Sequence, residues 1–226
     1  MIQKICLSII AFAFQNIGAQ EMDSLALQFR FKFGNQSIAV DKKYQSAKND
    51  TLQIEVLKMY ISNIELEYTN GSVFKNQKAQ LIDIEKPETM RFAVSPKTSR
   101  RLANLTFTVG IDSLTSVSGA LSGDLDPSKG MYWAWQSGYI NMKIEGMSPS
   151  CKTRKNKFQF HIGGYLKPYY ALRKVTLTVK NPNPEITIDL SKIFSKISLS
   201  ETNSIMIPGK KAMSIADYGA QMFSIE

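Results

Sequence analysis

The sequence predicts a mainly β protein, an antiparallel β-sandwich or open barrel with long loops and one or two short helices. Three observations carry this expectation. Apolar and polar residues alternate with a period of two in segment after segment, Gly, Pro, Asn and Asp turns separate those segments, and sustained helical spacing is scarce.

Leu25, Leu27, Phe29, Phe31 and Phe33 alternate with Ala26, Gln28, Arg30 and Lys32, the pattern of a half-buried strand. Ile64, Leu66 and Tyr68 alternate with Glu65 and Glu67 up to the turn Asn70-Gly71, after which residues 81–84 are expected to return as the hairpin partner. Leu105, Phe107 and Val109 form another strand. Ile140, Met142 and Ile144 alternate with Asn141, Lys143 and Glu145, and Phe158, Phe160 and Ile162 with Gln159 and His161. Val175, Leu177 and Val179 precede the break Asn181-Pro182-Asn183-Pro184, and Ile186, Ile188 and Leu190 follow it. Helical spacing is confined to Leu190, Ile193, Phe194 and Ile197, and to residues 211–222, where Ala212, Ile215, Ala216 and Phe223 are expected to face the core.

Residues 1–20 read as a secretory signal peptide: one basic residue, Lys4, then the apolar run 5–14, then Gly18-Ala19-Gln20. That run is too short to span a bilayer, and no later stretch approaches the ~20 apolar residues required. Residues 21–226 are expected to form a single β domain, soluble and either periplasmic or secreted. The net charge of +9 can reflect nucleic acid or an anionic surface. The basic residues, however, are scattered as Lys42-Lys43, Arg100-Arg101, the run 152–157 and Lys210-Lys211. A solvated basic surface without a nucleic-acid partner is therefore expected. Once the leader and its Cys6 are removed, Cys151 is the remaining cysteine, so no disulfide forms within the chain and the core must carry the fold.

A chain with one histidine, His161, cannot build a multi-histidine centre. Nucleophilic catalysis would depend on His161 as its base, and no Gly-x-Ser-x-Gly elbow is present, so an enzyme is not expected. Zinc sites require three or four His, Cys or carboxylate ligands. Asp112, Asp124 and Asp126 do not match a calcium loop and read as turn residues. Cu(I) differs in accepting soft thioether and thiolate ligands with imidazole at low coordination number, and nine of the ten methionines lie beyond the leader, Met131, Met142 and Met147 among them. With Phe158, Phe160 and Ile162 turned inward, His161 projects from the opposite face of its strand, and Gly163-Gly164 behind it lets another backbone come close. Both tryptophans of the chain fall in Met131-Tyr132-Trp133-Ala134-Trp135-Gln136-Ser137-Gly138-Tyr139. If that segment is extended, Trp133 and Trp135 point the same way.

The ordered set Tyr60-Ile61-Ser62-Asn63-Ile64, Val109-Gly110-Ile111-Asp112, Leu125-Asp126-Pro127, residues 130–139, Lys143-Ile144-Glu145-Gly146 and Phe160-His161-Ile162-Gly163-Gly164-Tyr165 resembles the MbnP-like copper-binding proteins over nearly all of residues 21–226. The resemblance implies an exported bacterial protein that binds Cu(I) through histidines and a tryptophan oxidised to kynurenine, with a di-haem partner of the MauG type performing the oxidation. Carried over by position, it implies Trp133 as the modified tryptophan and His161 as an imidazole ligand. In the copper-binding examples a histidine follows the kynurenine two positions on, whereas here Trp135 occupies that place. Met131 is the substitute ligand in our reading, with Cys151 the other sulfur on offer. The expected function is Cu(I) handling or storage. The alternative is an exported, non-catalytic interaction domain that has lost the copper site and uses Trp133, Trp135 and Tyr139 as aromatic anchors.

Overall fold

The computed structural model of the chain describes residues 24–136, 138–181 and 184–225. The signal-peptide reading of residues 1–20 lies outside them. The strands are β1 (Ser24–Phe33), β2 (Gln36–Ser37), β3 (Lys43–Gln45), β4 (Thr51–Tyr68), β5 (Val73–Asn76), β6 (Gln80–Asp83), β7 (Arg91–Pro96), β8 (Leu102–Val109), β9 (Tyr132–Trp133), β10 (Gly138–Met147), β11 (Lys157–Gly163), β12 (Arg173–Thr178), β13 (Glu185–Asp189), β14 (Ser204–Ile205) and β15 (Phe223–Ile225). Three helices accompany them, α1 (Ser113–Val117), α2 (Ser191–Phe194) and α3 (Lys210–Ala220).

The smaller sheet runs β15-β13-β1-β2, with β7 also on β1. The larger runs β12-β8-β4-β10-β11-β14, and β3, β5 and β6 share β4 while β9 pairs with β10. Most pairings are antiparallel, as expected; β1–β13 and β11–β14 are parallel. Phe29 of the smaller sheet meets Phe107 of the larger edge-on at 6.2 Å, and Phe107 meets Phe223 at 5.0 Å. These contacts define the sandwich core. Each fully buried phenylalanine contributes about 1.5–3 kcal/mol relative to exposure.

The long strand β4 organises the larger sheet and is not regular. Its inward residues are Leu52 and Ile54, then Leu57, Met59 and Ile61, then Ile64, Leu66 and Tyr68. Each change of parity falls at a register shift, one where β4 meets Glu145 and Gly146 and one between Ser62 and Glu65, where Asn63 has φ 48°. A bulge inserts one residue and so moves the following side chains to the other face. β5 takes the hairpin position after Asn70-Gly71, and β6 pairs farther back on β4, Lys58 facing Asp83. Helix α3 buries Ala212, Ile215, Ala216 and Gly219. Phe223 lies beyond it on β15, opposite Ile188, and enters the core from a strand rather than from the helix.

Candidate metal centre

A second, smaller apolar cluster lies apart from the sandwich core and contains Tyr60, Leu81, Ile111, Met131, Trp133, Tyr139 and Ile140. The segment that supplies Met131 and Trp133 is set by local chemistry. Asp126 accepts from the backbone N–H of Ser128 at 2.8 Å, Pro127 opens a 3-10 turn, and Gly130 closes it at φ 72°, a left-handed conformation that favours glycine. Chain direction then reverses through the β9–β10 hairpin, with Trp133 opposite Gly138 and Tyr132 opposite Tyr139. Tyr139 fastens the overlying loop: its hydroxyl accepts from Leu121 N at 3.0 Å and lies 3.0 Å from Leu125 O and 3.2 Å from Gly119 O. Tyr60 donates its hydroxyl to Asp124 O at 2.9 Å, and burial raises its phenol pKa strongly.

The three acidic loop residues each accept a backbone N–H, Asp112 and Asp126 as local caps and Asp124 from the distant strand β6. Asp112 accepts from Thr115 N at 2.8 Å at the start of α1, and Asp124 accepts from Leu81 N at 3.0 Å. Asp126 caps its own turn through Ser128 N.

Beside the cluster, a row of charges crosses the same face of the larger sheet. In register, Asp83 faces Lys58, Lys58 faces Lys143, and Lys143 faces His161. Lys58 Nζ is 3.0 Å from Asp83 Oδ2, and Lys143 Nζ is 3.5 Å from Glu145 Oε1. His161, only 7% exposed, sets its Nε2 2.5 Å from Glu145 Oε1. The hydrogen bond from His161, together with the positive charge of Lys143, holds the Glu145 carboxyl below the usual glutamate range. An ionised carboxylate can only accept, so Nε2 donates the proton of this bond, and Nδ1 is the ring nitrogen that Glu145 does not engage. Nδ1 has no hydrogen-bond partner among the described residues.

Phe158, Phe160 and Ile162 join the sandwich core, and His161 faces away from them, as the alternation predicts. Gly163 lies on the His161 face two residues on, and the six-membered ring of Trp133 covers it: a Cβ there would fall 2.6 Å from Cζ3. Trp133 thus packs against β11 at a bare position two residues from His161. Met131 is fully buried in the same cluster as Trp133. Glu145 is the residue that sequence reasoning missed; its place on the polar face of β10, opposite the His161 strand, was a usable signal.

Two expectations are corrected by burial. Tyr139 is 1% exposed and its hydroxyl is committed to the loop, so it cannot be an anchor for a partner. Cys151 is buried in the sandwich core, apart from the Met131 cluster, and cannot replace a ligand beside His161. The tryptophan segment is also not extended throughout: a turn follows Trp133, and Trp135 emerges 61% exposed. The two indoles remain in contact, with ring centroids 5.7 Å apart at 45°. Trp135 borders a surface groove of about 340 Å³ shared with Leu166, Tyr169, Ile207 and Pro208. No helix of the described residues is long and apolar enough to cross a membrane.

A family model described as MbnP matches residues 22–207. No curated protein matches the chain. Among solved structures, MbnP from Methylosinus trichosporium aligns with a TM-score of 0.60 at 16% identity, covering 84% of this chain and 82% of that one. At that identity the likeness is one of fold.

Proposed function

Because the chain belongs to the MbnP family, we propose that it is an exported, non-catalytic protein that handles Cu(I) at a centre made by His161 and Met131 beside Trp133. The observation that carries this reading is the shared face: Trp133 lies on Gly163, two residues from His161, with Met131 buried in the Trp133 cluster. The hydrogen bond from His161 Nε2 to Glu145 adds support, since metal-binding histidines commonly donate their other ring N–H to a carboxylate. It leaves Nδ1 as the ligand nitrogen.

The donor set suits a soft ion of low coordination number. It offers one imidazole nitrogen and one thioether, and among the described residues no group of three or more His, Cys, Asp or Glu side chains is placed to hold a metal. Zinc, calcium and magnesium require more and harder ligands than these. An indole has no donor lone pair to offer, so Trp133 contributes as a ligand only after oxidation to kynurenine, which supplies an aniline nitrogen and a carbonyl oxygen. Trp133 itself is 5% exposed, while Trp135 is in ring contact with it and open to solvent. That pairing supports removal of electrons from Trp133 through Trp135 by an external di-haem oxidant of the MauG type. The leader-like residues 1–20 support export.

X-ray absorption at the copper edge of the Cu(I)-loaded protein tests the centre, alongside the mass of the peptide containing Trp133. One nitrogen and one sulfur neighbour are expected in the unmodified protein. A copper environment without sulfur would remove Met131 from the centre.

The exposed Trp135 groove favours a second reading, in which the fold recognises a protein or small ligand and holds no metal. A folded protein that takes up no Cu(I), whether or not Trp133 is modified, would establish that reading over the first.

A further inference from the structure

Basic residues that are dispersed along the sequence converge on one groove that runs along the smaller sheet. There β1 from Ser24 to Arg30, Arg91 at the start of β7, the loop between β7 and β8, Lys180 just beyond β12 and Glu185 at the start of β13 enclose a groove of about 1010 Å³. Arg30, Arg91, Lys97, Arg100, Arg101 and Lys180 line it, against one carboxylate, Glu185, among the described residues. Among the described lining residues, six cations stand against one anion. Glu185 is already taken by Arg30, Nε to Oε1 at 2.5 Å. Arg100 is fixed over the Tyr68 ring at 5.8 Å and bonds Ser72 Oγ at 3.2 Å. Arg91, Lys97, Arg101 and Lys180 are exposed and have no ion-pair partner among the described residues. Like charges brought together without counter-charges repel and weaken the fold, so their convergence is unfavourable unless an anion joins them.

We infer that this groove binds an anionic polysaccharide, one carrying sulfate or carboxylate groups on a sugar chain. The guanidinium forks of Arg91 and Arg101 match such groups bidentately. Gln28, Thr98 and Ser99 line the same groove and offer amide and hydroxyl partners for sugar hydroxyls. Nucleic acid fits less well: the one aromatic ring in the lining, Tyr68, is buried and covered by Arg100, so no free face remains on which a base could stack. This site lies on different strands from His161 and Trp133 and does not depend on copper.

The test uses the full chain and a heparin-derived oligosaccharide, with affinity measured at low and physiological salt. R91E/R101E is compared with a control pair, K152E/R154E, which makes the same change of net charge at another exposed basic site. Thermal denaturation verifies that both fold. We expect the groove pair to weaken binding by about tenfold or more, the loss of two charge-assisted contacts, and the control pair to change it by less than about twofold. Equal losses in both pairs would reduce the binding to net charge and overturn the proposal. So would binding that survives R91E/R101E, or tighter binding of single-stranded DNA of matched charge through the same residues.

Discussion

Trp133 is seated on Gly163: a Cβ at position 163 would lie 2.6 Å from the indole Cζ3 and 2.7 Å from the carbonyl oxygen of Tyr139. Because one of these neighbours is backbone, the clash cannot be relieved by a side chain swinging away. Gly163→Ala is expected to cost about 1–3 kcal/mol, the usual range for overpacking, and to shift the tryptophan emission. Urea denaturation followed by fluorescence measures both. An unchanged midpoint and spectrum would mean that the indole does not rest on this strand.

The Glu145 carboxyl is held below its ordinary pKa, first by the hydrogen bond from His161 and then by the charge of Lys143. A depressed native pKa means that this group stabilises the fold above the unfolded value, about 4.3 for glutamate, and that the contribution is lost as pH falls through the native value. Stability measured at stepped pH should therefore decline below about pH 4.3 more steeply in the parent protein than in Glu145→Gln. Parallel curves would show that the carboxylate is not specifically stabilised.

Tyr139→Phe removes the hydroxyl that accepts from Leu121 N and reaches Gly119 O and Leu125 O. The expected cost is about 1–3 kcal/mol, since a backbone N–H loses its partner. Protease cleavage between residues 119 and 125 should also appear in the variant. Resistance equal to the parent's would assign the loop's order to other contacts.

Cys151 is buried in the sandwich core, and its thiol is pushed up to about 11 by burial and by the nearby charge of Asp50. Because the thiolate is the reactive species, a disulfide-exchange reagent at neutral pH should label it in denaturant and not in the native protein. Fast labelling of native protein would contradict its burial.

The strands with uninterrupted period two, such as Phe29, Phe31 and Phe33 or Phe158, Phe160 and Ile162, were legible because one buried face imposes alternation. The first half of β4 was not, since its two bulges move Leu57, Met59 and Ile61 out of phase with the residues before and after them. Phe223 was misassigned to a helix for a related reason: its spacing from Ala216 suits a helix, but pairing with Ile188 is a contact distant in sequence. At the candidate centre, the outward face of His161 followed from alternation, whereas its Glu145 partner required the register of β10 against β11. The burial of Tyr139 and Cys151 and the turn between the two tryptophans depend on which loop covers which face, information that no local pattern contains.

The central claim is that His161 holds copper, and competition titration of Cu(I) against a chromogenic chelator tests it most directly, on the parent protein, His161→Ala and Met131→Leu. The account predicts one tightly held ion per parent chain, with its affinity lost in His161→Ala, weakened in Met131→Leu, and the fold intact in both by thermal denaturation. Parent-like affinity in folded His161→Ala would contradict it and place any bound copper elsewhere.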